Sequence, residues 1–241
     1  MLYVVGFGCG SREGMTIEAE NAIKTSDLIV GYTVYTELMK KFFSDKNYYS
    51  TGMRQEKERV RYALEQAENG KTVSLICSGD SEIYGMAGLA YELSEKYPNT
   101  EIVTVAGVTA ALGGGAILGA PLTNDFAVIS LSDLLTPAEK IITKIKCAAQ
   151  ADFTIVLYNP SSKKRADYLK KACEIIMQYK PPETVCGIAK NIGREGEESR
   201  TITLAELKNI QVDMFTTVFI GCSETKVING KMVTKRGYKN V

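Results

Sequence analysis

No histidine occurs among the 241 residues, and that absence narrows the chemistry at once. Imidazole-based zinc sites, Ser-His-Asp and Cys-His nucleophiles and the usual general base at neutral pH are all excluded. The six cysteines, Cys9, Cys77, Cys147, Cys173, Cys186 and Cys222, are scattered without a C-x-x-C pair. Neither a protein-held metal nor a disulfide framework is expected, and most of these thiols should be buried. What remains is carboxylates, lysine, tyrosine, backbone groups or a bound cofactor. Two glycine turns offer backbone: Ser78-Gly79-Asp80 continuing to Tyr84, and Gly107 continuing to Ala110. Glycine lets N–H and C=O groups come close to a ligand. Arg54, beside Gly52, suits a substrate carboxylate through the paired geometry of guanidinium; alternatively it and Glu56 form a solvated first helical turn.

Each turn ends an apolar run. Val73–Cys77 leads into the first and Ile102–Val105 into the second, with a helical pattern through Met86, Leu89, Ala90 and Leu93 between them. Strand, turn, helix, strand is the unit of a parallel sheet. Ligands of such sheets sit beyond the carboxyl ends of the strands, so the two turns would face one crevice if their strands are neighbours. Before this unit come a strand over 2–7, the loop Gly6-Phe7-Gly8-Cys9-Gly10, a helix from Thr16 to Ser26, a strand over 28–30, a helix over 34–43 and a short Tyr48-Tyr49 strand. A charged helix then runs to Asn69, where Gly70 supplies the left-handed geometry of a helix end.

The apolar segment 110–121, with Gly113-Gly114-Gly115, reads as a buried helix ending at Pro121. Each interior glycine costs about 1 kcal/mol relative to alanine, so something should pack very close to that backbone. Strands follow near 126–130, 153–158, 184–190 and 216–221. Capping boxes are expected at Thr136-Pro137-Ala138-Glu139, with Pro at the first helical position, and at Thr203-Leu204-Ala205-Glu206. A hairpin over 227–233 closes on Asn229-Gly230. The expected architecture is two α/β domains, 1–120 and 121–241, with the boundary near residues 119–123.

Twenty-nine basic residues face 28 acidic ones, which gives no global support for a nucleic-acid or membrane-surface partner. The Lys163-Lys164-Arg165 cluster reads as a solvated helix start. The N-terminal residues lack a basic flank and a long apolar segment, so neither a signal peptide nor a membrane span is expected and the location should be cytoplasmic. The glycine loop at 6–10 also invites a dinucleotide-dependent oxidoreductase. Its third glycine falls at 10 instead of 11, however, and Asp27 precedes the second strand where a ribose-binding acid should follow it.

Gly6-Phe7-Gly8-Cys9-Gly10, Thr51-Gly52-Met53-Arg54-Gln55-Glu56, Ser78-Gly79-Asp80-Ser81-Glu82-Ile83-Tyr84-Gly85-Met86-Ala87 and the stretch from Ala127 to Pro137 together resemble the precorrin-3B C17-methyltransferases of cobalamin biosynthesis, within the wider tetrapyrrole methyltransferase family. Tyr158-Asn159-Pro160 and Gly193-Arg194-Glu195-Gly196-Glu197 extend the likeness over nearly the whole length. It implies S-adenosylmethionine bound between two domains, a tetrapyrrole substrate in an adjoining trough and a homodimer. Carried over by position, Gly79, Asp80, Ile83, Tyr84, Thr109 and Ala110 should touch the cofactor, with Tyr158, Ala189 and Asn191 completing its pocket. Gly8, Cys9 and Gly10 should face the macrocycle, whose carboxylates Arg12, Arg54 and Arg194 would anchor. The family usually has Pro-Gly-Asp where this chain has Cys9, Gly10 and Ser11, which leaves Cys9 as a thiol near substrate. Methylation at C17 with ring contraction needs proton movements, for which Asp133, Glu56, Tyr32 and Lys190 are the acid-base candidates. Asp133 is equally a candidate cap for the helix behind Thr136. The alternatives are methylation of a different corrin carbon, the oxidoreductase, or a non-catalytic binding protein with the same fold.

Overall fold

The computed structural model describes residues 1–161 and 167–239; the Lys163-Lys164-Arg165 cluster lies outside them. The chain divides into two compact units, Met1–Ala110 and Ala111–Val241.

The first unit alternates strand and helix: β1 (Leu2–Gly6), α1 (Ile17–Thr25), β2 (Leu28–Tyr32), α2 (Thr33–Lys40), β3 (Asn47–Thr51), α3 (Glu56–Glu68), β4 (Val73–Cys77), α4 (Ala87–Ser94) and β5 (Ile102–Val105). All five strands are parallel, in the order β3-β2-β4-β1-β5. Successive side chains of a strand point to opposite faces. In β4, Val73, Leu75 and Cys77 therefore meet Val60 and Leu64 of α3 and Ala87 and Ala90 of α4, while Ile76 meets Ile23 of α1 and Met39 of α2. Both faces are covered, which is why β4 reads as a nearly unbroken apolar run. Its one hydroxyl, Ser74, is buried and paired with Ser26 at 2.8 Å. Thr16 caps α1 by accepting from the Ala19 N–H, and Gly70 ends α3 at φ 89°.

The second unit begins within α5 (Ala110–Leu118) and continues through β6 (Gly119–Ala120), β7 (Phe126–Ser130), α6 (Ala138–Gln150), β8 (Thr154–Tyr158), α7 (Tyr168–Ile176), β9 (Val185–Lys190), β10 (Glu198–Thr203), α8 (Leu204–Leu207), β11 (Thr216–Ile220), β12 (Thr225–Ile228) and β13 (Lys231–Thr234). Its main sheet is mixed, ordered β10-β9-β11-β8-β7, and β12, β13 and β6 form a small second sheet. Leu157, Ile188 and Val218 lie in register across β8, β9 and β11 and share a core with Ile145 of α6 and Ile176 of α7. The opposite face receives α5. A Cβ on Gly114 would lie 2.9 Å from the Phe219 ring, and one on Gly187 would lie 2.6 Å from Leu118. That close approach explains the glycine-rich helix and places α5 with the second unit, so the division falls at 110/111 where the sequence suggested 120/121.

The expected box at Thr203 forms in both directions with Glu206. The one at Thr136 does not. Pro137, extended at ψ 140°, is itself the cap and makes no side-chain bond, so the Thr136 hydroxyl sits one residue too early to reach the first turn. Asn229 and Gly230, at φ 50° and 75°, make the tight turn between β12 and β13.

Candidate functional site

The carboxyl ends of β1, β4 and β5 interlock through glycine. A Cβ on Gly6 would lie 2.8 Å from Gly79 O, from Asp80 Cα and from Gly107 N, and one on Gly107 would lie 2.2 Å from Gly79 O and 2.3 Å from Gly6 O. Those neighbours are backbone atoms with nowhere to go, so only glycine allows the three segments to meet. Gly8 and Gly79 also exchange backbone hydrogen bonds at 3.0 and 2.7 Å. The strands behind the two turns are not neighbours, since β1 lies between β4 and β5; the turns meet by closing over its end.

Asp80 is the clasp. Its Oδ1 accepts from the N–H groups of Glu82 (2.8 Å) and Ile83 (3.0 Å), and its Oδ2 accepts from Gly107 N–H at 2.9 Å. Burial pushes this carboxyl up, but the donors on Gly107, Glu82, Ile83 and Ser81 outweigh burial and hold it below its ordinary value. Ser81 reinforces the clasp by donating to Val105 O at 3.0 Å. Beyond it the chain presents apolar surface, Ile83 at 42% and Tyr84 at 54% exposure, with Tyr84 in the left-handed region at φ 57°. Gly79, Thr109 and Ala110 are adjacent: a Cβ on Gly79 would sit 3.5 Å from Thr109 Cα and 3.7 Å from Ala110 N. The six cofactor candidates of the first unit thus form one cluster.

In the glycine loop, Gly8 and Gly10 adopt φ 77° and 144°, and the half-buried Cys9 thiol donates to Val108 O at 3.4 Å. Arg12 turns away to pair with Glu20 at 2.5 Å and to cover the Phe43 ring. Arg54 stands exposed on the turn between β3 and α3, in the left-handed region at φ 67°. It borders an open recess of about 560 Å³ lined also by Tyr49, Gln55, Glu58, Arg61 and Tyr62. Glu56 is the exposed first residue of α3, and Tyr32 ends β2 with its ring edge-on to Tyr35 at 5.2 Å. The sequence reading missed Arg59. Its side chain is 3% exposed and reaches Thr51, Gly52 and Met86. A signal was present, because Arg59 stands four residues before Ala63 on the apolar stripe of α3.

In the second unit the Tyr158 hydroxyl accepts from the Ala111 N–H at 2.6 Å, satisfying one of the free donors that open α5. Asn191 is left-handed at φ 51° and donates from Nδ2 to Gly196 O at 3.2 Å. Ala189 is completely buried and offers no side-chain surface. Strand alternation separates the remaining candidates. Tyr158 and Ala189 face away from the Leu157–Ile188–Val218 layer, whereas Lys190 lies on the same face as Ile188. Lys190 pairs with Asp213 at 3.1 Å in a recess of about 450 Å³ lined also by Glu198, Arg200 and Thr216. Arg194 covers the Phe215 ring. Asp133 does not cap α6; its Oδ2 accepts from the Tyr168 hydroxyl at 2.6 Å. Among the described residues no group of three or more Cys, Asp or Glu side chains is placed to hold a metal ion.

The chain is 46% identical to a probable cobalt-factor III C(17)-methyltransferase of Methanocaldococcus jannaschii over 99% of its own length and 98% of that protein's. It is 36% identical to a precorrin-3B C(17)-methyltransferase of a Sinorhizobium species over 94% and 91%. Among solved structures, that of the methyltransferase CobJ matches with a TM-score of 0.87 and 30% identity, covering 97% of this chain and 99% of that one. Residues 1–208 match the family of Tetrapyrrole (Corrin/Porphyrin) Methylases. The chain belongs to that family of methyltransferases.

Proposed function

We propose that this protein transfers a methyl group from S-adenosylmethionine to C17 of a cobalt-containing corrin precursor, cobalt-factor III, with ring contraction, in cobalamin biosynthesis. The observation that carries the reading is the 46% identity, end to end, with a relative of that name. Identity to the relative named for the metal-free precorrin-3B is lower, at 36%, which favours cobalt in the substrate.

The residues fit the cofactor. The glycine-only closure of Gly6, Gly79 and Gly107 brings backbone to the carboxyl ends of β1, β4 and β5, and Ile83 and Tyr84 beside it offer the apolar surface an adenosyl group needs. The cofactor supplies an already activated methyl group on sulfur. The chain's task is to hold and align, which in favourable cases contributes about 7 kcal/mol or more and needs no histidine. Asp80 serves by fixing the turn, since three backbone donors already occupy its carboxylate. Tyr158 and Asn191 are proposed cofactor contacts, Arg54 and the Gly8–Cys9–Gly10 loop proposed macrocycle contacts, and Asp133 the first acid-base candidate. Arg12, whose fork is taken by Glu20, and Lys190, paired with Asp213, are weaker candidates.

We also propose a cytoplasmic homodimer. Among the described residues no helix is long and apolar enough to cross a membrane, and the dimer follows the family resemblance; light scattering checks it. The decisive experiment incubates the purified protein with cobalt-factor III and S-adenosylmethionine carrying a 13C methyl group. The expected product carries one labelled methyl on C17, with S-adenosylhomocysteine released, and precorrin-3B reacts more slowly. Label on another carbon, or no transfer, overturns the reading.

A further inference from the structure

Arg59 is a buried charge with no carboxylate partner among the described residues. At 3% exposure its three hydrogen bonds go to Thr51 Oγ1 (2.9 Å), Gly52 O (2.8 Å) and Met86 Sδ (3.5 Å), and its guanidinium lies 5.9 Å from the centre of the Tyr32 ring. Burying an ion on neutral partners costs stability that hydrophobic residues of similar size would not. Burial pulls its pKa down, with Glu56, one turn earlier, opposing that from a distance. A guanidinium nevertheless stays protonated, so the site keeps its positive charge.

The partners explain what the charge is for. Tyr32 ends β2, Thr51 ends β3, and Met86 belongs to the segment that follows β4. One side chain therefore ties the carboxyl ends of three adjacent strands, the end of a parallel sheet where ligands bind. The tie to Gly52 is specific. The Gly52 N–H donates to Gln55 Oε1 at 2.6 Å and its carbonyl accepts from Arg59, so the peptide group is clamped on both sides. Two residues on, Arg54 is held in the left-handed region at φ 67°, a conformation that costs a non-glycine residue about 1–3 kcal/mol and persists only where the surroundings impose it. Met53, between them, is 52% exposed.

We infer that Arg59 is a positioning residue for substrate: it clamps the Gly52–Gln55 turn so that Arg54 faces a carboxylate of the macrocycle, and its own buried charge makes that end of the sheet attractive to anions. The inference rests on the proposed reading of the chain as a corrin-precursor methyltransferase. The cofactor cluster closes around Asp80 toward Gly107, on the β1 and β5 side, and Arg59 approaches its segment at Met86, two residues past Tyr84.

Arg59→Met removes charge and fork while keeping an unbranched apolar stem; Arg59→Lys keeps the charge without the fork. Both should bind S-adenosylmethionine as the wild type does in calorimetry. Arg59→Met should raise KM for cobalt-factor III by about tenfold, corresponding to 1.4 kcal/mol of lost binding, with kcat within about threefold of wild type. Arg59→Lys should fall between the two. Gln55→Ala opens the other side of the clamp without disturbing a buried charge, and should raise the same KM with cofactor affinity unchanged. Wild-type KM in both Arg59→Met and Gln55→Ala overturns the inference, as does a parallel loss of cofactor and substrate affinity. Failure of the wild-type protein itself to methylate cobalt-factor III overturns the functional reading, and this inference with it.

Discussion

Asp80 and Gly107 are joined by a 2.9 Å hydrogen bond from the Gly107 N–H to the Asp80 carboxylate, over the end of a strand that belongs to neither turn. Both carboxylate oxygens face backbone donors, so an amide cannot replace the acid without pointing an NH₂ at an N–H. Asp80→Asn should lose about 1.5–3 kcal/mol of stability, the range for a hydrogen bond to a charged group, and should weaken S-adenosylmethionine binding by loosening the turn. Denaturant unfolding and calorimetric titration measure the two effects. A variant of normal stability and affinity would show that the clasp is dispensable.

The same chemistry sets the pH range of stability. Asp80, Asp152 and Asp213 are each pushed up by burial and pulled down further by their donors, chiefly backbone N–H groups for Asp80, Lys180 and Ser223 for Asp152, and Lys190 and Thr216 for Asp213. All three end below the ordinary 3.8. A carboxyl with a lowered folded pKa contributes fully above its unfolded value and loses that contribution as pH falls through the folded one. Cys77 acts in the opposite sense. Burial raises its thiol from 9.0 to about 12, so its contribution is complete below 9.0 and lost as pH rises above it. Unfolding free energy should therefore be flat from about pH 5 to pH 8 and fall on both sides, with Cys77→Ala flattening part of the alkaline limb. A maximum outside that window would mean that other groups dominate.

Glycine substitutions should divide by what a Cβ would strike. Gly107→Ala drives a methyl to within 2.2 Å of Gly79 O and 2.3 Å of Gly6 O, all backbone, so the expected result is loss of cofactor binding with a lowered Tm. Gly88→Ala in α4 meets nothing within 4 Å and should stabilise by up to about 1 kcal/mol through helix propensity. Equal melting temperatures for the two variants would refute the interlock.

The contrast between Gly107 and Gly88 marks what the sequence could reveal. β4, β5 and β7 were legible to the residue, as Val73–Cys77, Ile102–Val105 and Phe126–Ser130, because an apolar run bounded by turn residues is a local signal. β10 was not. Glu198, Ser199 and Arg200 are exposed on an edge strand, where no burial pattern is required and charge is favoured. The Asp80 turn was recognisable as a ligand loop, but its closure onto Gly107 depends on β1 lying between β4 and β5, and strand order is a long-range property. Lys190 separated from Tyr158 and Ala189 for a related reason: residues one apart on a strand point to opposite faces. Arg59 hid among Lys57, Glu58 and Arg61, where one inward-facing charge looks like the solvated ones.

Asp133 and Tyr168 give the last test. Tyr168 opens α7 and donates to Asp133, on the segment after β7, at 2.6 Å. A carboxylate held this way is oriented to take up a proton, and proton transfer by a positioned side chain contributes about 10²–10⁴-fold in rate. Asp133→Asn should lower kcat by about a hundredfold or more while leaving S-adenosylmethionine affinity intact. Tyr168→Phe removes the donor that orients the carboxylate and should lower kcat in the same direction, but less. Were the pair only a tie between two segments, both variants would cost about 1 kcal/mol of stability and leave kcat unchanged. Wild-type kcat in Asp133→Asn would therefore remove Asp133 from the acid-base assignment and leave Tyr32, at the end of β2, and Glu56, at the start of α3, as the next residues to replace.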